Sequence, residues 1–144
     1  MVLAWQARQT TRDVDAIFQP AAAVREEARL VAEELGLPDD WLNDAAKAFQ
    51  SSRSEFRPID GLEYANLRVQ APTPEYMLAM KVMAARSGYG AERGDKQDIA
   101  FLIRLLQLRS PDQVMEVVQR YYDPSRILPR SLYLVQEILE ESEP

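Results

Sequence analysis

Residues 73–86 read TPEYMLAMKVMAAR, and this stretch divides the chain in two. Thr73 has the side chain of an N-cap, Pro74 suits the first helical position, and Gly88 supplies a stop. A helix is therefore expected between them. Downstream the pattern stays helical. SGYGAERG (87–94) reads as a polar loop carrying Gly88, Gly90 and Gly94. DKQDIAFLIRLLQL (95–108) is a strongly apolar helix. SPDQVMEVVQRYY (110–122) opens with Ser110 as N-cap, Pro111 behind it and Gln113 in capping-box position. SLYLVQEILEE (131–141) forms a last helix.

Upstream the pattern is mixed. Residues 1–8 resemble the last turns of a helix. TTRDVDAIF (10–18) reads as a strand with Val14, Ala16 and Phe18 on one face and Thr11, Asp13, Asp15 and Ile17 on the other. AAAVREEARLVAEELG (21–36) repeats Val24, Ala28, Val31 and Leu35 at helical spacing, and Gly36 is a C-terminal stop. PDDWLNDAAKAFQ (38–50) suggests a second helix, with Pro38, Asp39 and Asp40 suited to its first turn. Residues 51–61 look like a loop, and LEYANLRV (62–69) a strand. Strands and helices followed by helices alone imply an α+β fold with a small, incomplete sheet and a helical C-terminal half. The 144 residues suit one domain, with a subdivision near residue 70 into a sheet-bearing part (1–70) and a helical part (71–144).

Composition narrows the chemistry. The chain has no cysteine and no histidine. Disulfides, thiolate nucleophiles, imidazole bases and imidazole or thiolate metal sites are thereby excluded. Any metal must take oxygen ligands, which points to magnesium, manganese or calcium. A net charge of −6 argues against broad nucleic-acid coating. No apolar run is long enough to span a bilayer and no secretory leader is legible, so the cytoplasm is the expected location.

Asp13 and Asp15 lie one residue apart on a strand, on the same face. Two such carboxylates repel and raise each other's pKa unless a cation or solvent relieves them. A magnesium ion between them would do so, and it commonly joins one or two carboxylates to waters and substrate phosphates. The same pattern also occurs on plain solvated strand faces. Lys81 interrupts an apolar helix; it either snorkels to water or reaches a phosphate. Asp95 and Asp98 stand one turn apart at a helix start, where they compensate the dipole, orient Lys81 or form an auxiliary site near the metal. Arg86 and Arg93 flank the glycine-bearing loop, where they either contact a phosphate or an RNA backbone or simply stand exposed. Glu26, Glu27, Glu33 and Glu34 read as a solvated face, the 140–143 end as a polar terminus, and Tyr121, Tyr122 and Trp41 as packing residues.

RQTTRDVDAIF, then PEYMLAMKVMAAR, then DKQDIAFLIRLL together resemble the DNA polymerase β-like nucleotidyltransferases, most closely the AbiEii-type toxins and related bacterial proteins. The resemblance runs over about residues 5–140 and is clearest over 8–18 and 72–106. It implies a nucleotidyltransferase-like fold that holds catalytic Mg2+ (or Mn2+) on Asp13 and Asp15. Lys81 and Arg86 match its Leu-x-x-Lys helix and following arginine, and Asp95 and Asp98 match its later acidic pair. It further implies transfer of a nucleotide from NTP to an RNA or protein acceptor, with an antitoxin as partner. One departure stands out. Relatives carry Gly-Gly or Gly-Ser ahead of the aspartates, whereas no glycine precedes Gly36 here. A third carboxylate has only Asp60 and Glu63 as candidates. The expectation therefore divides between an enzyme and an inactive binding subunit, the latter pairing as a homodimer or with a partner through an open sheet edge.

Overall fold

A computed structural model of the chain describes residues 14–85 and 93–142. Its architecture is α+β, with five α-helices and two separate two-stranded sheets among the described residues. Strand β1 (Val14–Asp15) leads through helix α1 (Ala21–Leu35) to strand β2 (Leu42–Asn43). The two strands pair in parallel, Val14 opposite Leu42 and Asp15 opposite Asn43, so the segment is a minimal βαβ unit. A 3-10 helix (Ala45–Phe49) follows. Strands β3 (Phe56–Glu63) and β4 (Arg68–Pro72) then form an antiparallel hairpin. The remainder is helical: α2 (Pro74–Ala84), α3 (Arg93–Leu105), α4 (Pro111–Tyr121), a 3-10 turn (Pro124–Arg126) and α5 (Pro129–Ser142).

Helix α2 is the axis of the core. Tyr76, Leu78, Ala79, Met80 and Val82 are all buried, so it is apolar on most sides, as a helix enclosed by others must be. Ile99, Leu102 and Ile103 of α3, Val114, Val117 and Val118 of α4, and Leu134, Val135 and Ile138 of α5 close around it. The N-terminal part reaches this cluster through Ile17, Ala46 and Phe56, all half-buried. The local signals act as expected at two helix starts. Thr73 Oγ1 accepts from the Tyr76 N–H at 3.3 Å, and Ser110 Oγ from the Gln113 N–H at 3.3 Å. Gln113 Oε1 accepts from the Arg109 N–H at 2.6 Å, one residue earlier than in a standard capping box.

Three expected elements are corrected. Residues 38–50 do not form a helix. The Trp41 carbonyl accepts from Val14 N–H at 2.6 Å and the Asn43 carbonyl from Ala16 N–H at 2.9 Å, so strand pairing takes the carbonyls a helix would need. Asn43 Oδ1 then accepts from the Ala45 N–H at 3.1 Å, and only a 3-10 turn follows. Nor are residues 51–61 all loop and 62–69 one strand: the first strand of the hairpin runs Phe56–Glu63, the second Arg68–Pro72, and residues 64–67 make the turn between them. Pro58 is tolerated because each strand of a two-stranded sheet is an edge. Gly61, at φ +82°, sits where the register slips between Pro58 and Glu63, a bulge that needs its left-handed backbone. The expected helix over residues 1–8 lies outside the described residues.

Candidate functional site

Lys81 lies in the last turn of α2, and Asp95 and Asp98 lie in the first turns of α3. The two helices pack side by side, which brings the three side chains together. Lys81 Nζ is 2.9 Å from Asp95 Oδ1 and 3.0 Å from Asp98 Oδ2. The three differ in exposure: the Asp98 side chain is 2% exposed, Lys81 22% and Asp95 34%. The ion pair to Asp98 is thus shielded from water, while the pair to Asp95 is screened. The Asp98 carboxylate sits in the same turn as Ile99, a residue of the main core.

The placement follows from helix electrostatics. A cation belongs in the final turn of α2, where carbonyls leave partial negative charge, and anions belong at the start of α3. Burial disfavours the Lys81 ammonium. Hydrogen bonds and charge from Asp95 and Asp98 outweigh that cost, and the Lys81 pKa lies above the usual lysine value. Lys81 is therefore a fixed cation and not a neutral amine available as a base. With both carboxylates ionised the trio carries a formal charge of −1. Lys81 alone does not make this corner attractive to phosphate.

Of the two strand aspartates, Asp15 closes β1 and is exposed, while Asp13 lies outside the described residues. An exposed carboxylate suits magnesium, which keeps several waters and often takes only one or two protein ligands. Among the described residues no group of three or more acidic side chains could hold a metal. Asp60 and Glu63 are exposed on the β3 hairpin. Arg86 lies outside the described residues, and Arg93 opens α3. The face expected to anchor the aspartates is also revised. Val14, Ala16 and Phe18 are half-buried, but the strand stops at Asp15 and it is Ile17 that packs on the main core.

The chain matches no family model, no curated protein and no solved structure. Among the described residues no helix is long and apolar enough to cross a membrane.

A second polar cluster was not legible in the sequence. The Ser51 N–H donates to Tyr76 Oη at 2.8 Å, and Ser51 Oγ donates to the Tyr121 carbonyl. Tyr121 Oη donates to Glu55 Oε2 at 2.8 Å, and Tyr122 Oη donates to the Phe49 carbonyl. Burial and the neighbouring Glu55 push the Tyr121 phenol up to about 12. Tyr121 and Tyr122 do pack, as expected, and their hydroxyls also tie the 49–55 segment to the helices. The one available signal was that a buried tyrosine needs a hydrogen-bond partner. Nothing in the sequence says which.

Proposed function

We propose that the chain is a cytoplasmic nucleotidyltransferase-like protein, transferring a nucleotide from NTP to an RNA or protein acceptor as a toxin does. The acceptor hydroxyl would attack the α-phosphorus, and pyrophosphate would leave. Asp15, with Asp13, would hold Mg2+ or Mn2+, which when bound supplies charge neutralisation for the triphosphate. The observation that carries the reading is Lys81 held between Asp95 and Asp98, the three helical positions the resemblance marks. An ammonium has three donors. Asp95 and Asp98 engage two, and the third is left to donate to a phosphate oxygen once a divalent cation offsets the negative balance of the trio. Asp95 and Asp98 act as positioning residues that keep the Lys81 ammonium charged and in place.

The test is magnesium-dependent transfer of label from α-labelled NTPs to RNA and to protein. Transfer is expected with the native chain, and a loss of at least about a hundredfold with Asp15→Ala or Lys81→Met, the order seen when groups stabilising a developing charge are removed. No transfer from any NTP, together with no NTP-induced shift in Tm, would overturn the reading.

One observation favours a second reading, a binding subunit without chemistry. The β1–β2 pair is only two residues long on each strand, and Leu30, Leu35 and Leu37 are exposed on and beside α1. Exposed leucines grouped there suit burial against a second copy or an antitoxin. Light scattering separates the two: a monomer at micromolar concentration that turns over NTP counts against the subunit reading.

A further inference from the structure

A polar cleft of about 300 Å3 opens between the 51–53 loop, the C-terminal turn of α4 and the 3-10 turn that follows it. Ser52, Arg53, Gln119, Asp123 and Arg126 line it. Its base is fixed. The buried Ser51 accepts the Arg53 N–H on Oγ at 3.0 Å while holding Tyr76 and Tyr121 by its other bonds. The two guanidiniums are held as well. Arg53 Nη1 donates to the Arg120 carbonyl at 3.1 Å, and the Arg126 guanidinium carbon lies 5.9 Å from the centre of the Tyr122 ring.

These contacts engage few of the five N–H donors each guanidinium carries. Among the described residues neither arginine lies within 4.0 Å of a carboxylate oxygen. Asp123 is close by, but its Oδ1 accepts from the Ser125 N–H at 2.9 Å and the Ser125 hydroxyl at 2.6 Å, as the cap of the 3-10 turn. The carbonyl end of α4 would repel an anion. Arg53 on the Arg120 carbonyl counters that field at its source. Two forked cations, a hydroxyl and a carboxamide thus face a small recess, with the Asp123 carboxylate on its wall.

We propose that this cleft binds a phosphate monoester, with the phosphoryl oxygens received by Arg53 and Arg126 and the donor set completed by Ser52 and Gln119. The guanidinium fork matches a phosphate in geometry as well as charge. The recess is larger than a phosphoryl group and takes the organic part of a small ester beside Tyr121 and Tyr122, near the lower size limit of ligand sites. The site uses neither Lys81 nor Asp15 and stands apart from the function proposed above.

Isothermal titration calorimetry on the full chain, at low salt and in EDTA, tests it. The probes are adenosine 5′-monophosphate, glucose 6-phosphate, adenosine and glucose. Saturable binding of at least one ester at millimolar or lower concentration is expected, with none for its phosphate-free counterpart. Whichever ester binds identifies a nucleotide or a sugar source. Arg126→Gln should weaken binding about tenfold or more, the loss expected for a charge-assisted contact. Gln119→Glu, which leaves both arginines in place and puts a carboxylate in the recess, should do the same with an unchanged circular dichroism spectrum. No binding of either ester at about 10 mM, where even weak sites register, would overturn the proposal. So would equal binding of adenosine and its monophosphate, or an affinity untouched by Gln119→Glu.

Discussion

The helical part and the N-terminal βαβ unit are held together by different means. Of the described residues, every buried apolar side chain except Ala32 and Ala71 lies at or after Tyr76. Helix α1 buries only Ala32. What it has instead is surface chemistry. Arg29 pairs with Glu26 at 2.8 Å and with Glu33, Arg25 pairs with Asp44, and Trp41 Nε1 donates to the Ala28 carbonyl at 3.0 Å. Exposed ion pairs of this kind contribute little to stability. The difference teaches where stability resides: α2–α5 carry it, and the βαβ unit rides on them through its own Ile17 and through Ala46 of the 3-10 helix that follows it.

The largest effect should come from cutting into the helical core. Leu102 is fully buried. Leu102→Ala should cost about 3 kcal/mol, within the roughly 2–5 kcal/mol range of such truncations, as read by urea denaturation. Leu35→Ala on α1, where the side chain is 65% exposed, should cost less than about 0.5 kcal/mol. Similar losses at the two sites would dissolve the contrast.

The Lys81 cluster shows the same contrast on a smaller scale. Asp98→Ala removes the shielded partner and should cost about 2–3 kcal/mol, below the full figure for a buried pair because Lys81 is partly exposed. Asp95→Ala removes a more exposed partner and should cost about 0.5–1 kcal/mol. The pH dependence has a definite sign. Lys81 and Tyr121 both have raised folded-state pKa values, from 10.5 upward and from 10.0 to about 12. Their stabilisation is complete below about pH 10 and is lost as pH rises through the folded values, because the unfolded chain gives up those protons first. Tm should therefore fall between about pH 10 and 12 in the native chain. Tyr121→Phe should flatten that fall; an unchanged slope would exclude Tyr121 as a source.

Next in size is the hydroxyl that ties the loop to the core. Tyr76→Phe keeps the ring, with its edge-on contact to Phe56 at 5.6 Å between centroids, and removes the acceptor for the buried Ser51 N–H. A loss of about 1–2 kcal/mol is expected, the cost of leaving such a donor unpaired. Faster hydrogen exchange at Ser51 and Arg53 should accompany it, since both amides depend on this hub.

Legibility in the sequence follows the range of the interaction. Thr73, Ser110 and Gly36 could be read because a cap is settled within a few residues. The proximity of Lys81 to Asp95 and Asp98 was suggested by charge and helix position, although the resemblance pointed to the same residues. The 38–50 segment misled because PDDW opens like a helix start, and the partner that overrides it, the backbone of Val14 and Ala16, is remote in sequence. The Ser51 hub joins positions as far apart as Ser51 and Tyr121, and no periodicity reports such a meeting.

The smallest effect sets two helix ends against each other. Helix α1 ends on Gly36 at φ +64°, with the Leu37 N–H reaching back to the Ala32 carbonyl at 3.0 Å. Past α3 the same turn recurs. The Leu108 N–H donates to the Ile103 carbonyl at 3.0 Å and the Gln107 N–H to the Arg104 carbonyl at 3.0 Å, the paired bonds of a Schellman stop. Its left-handed residue, however, is Gln107, at φ +55°. A side chain there meets the Cβ–carbonyl crowding that glycine avoids. Replacing it with glycine relieves that strain but adds freedom to the unfolded chain. Strain relief is the larger of the two, so Gln107→Gly should raise stability by about 0.5–1 kcal/mol. Gly36→Ala, the reverse change at the α1 end, should lower it by about 1 kcal/mol even though nothing lies within 4 Å of the added methyl, because the penalty is one of backbone conformation. Should Gln107→Gly destabilise instead, the glutamine side chain would have to contribute more than the turn's geometry takes away.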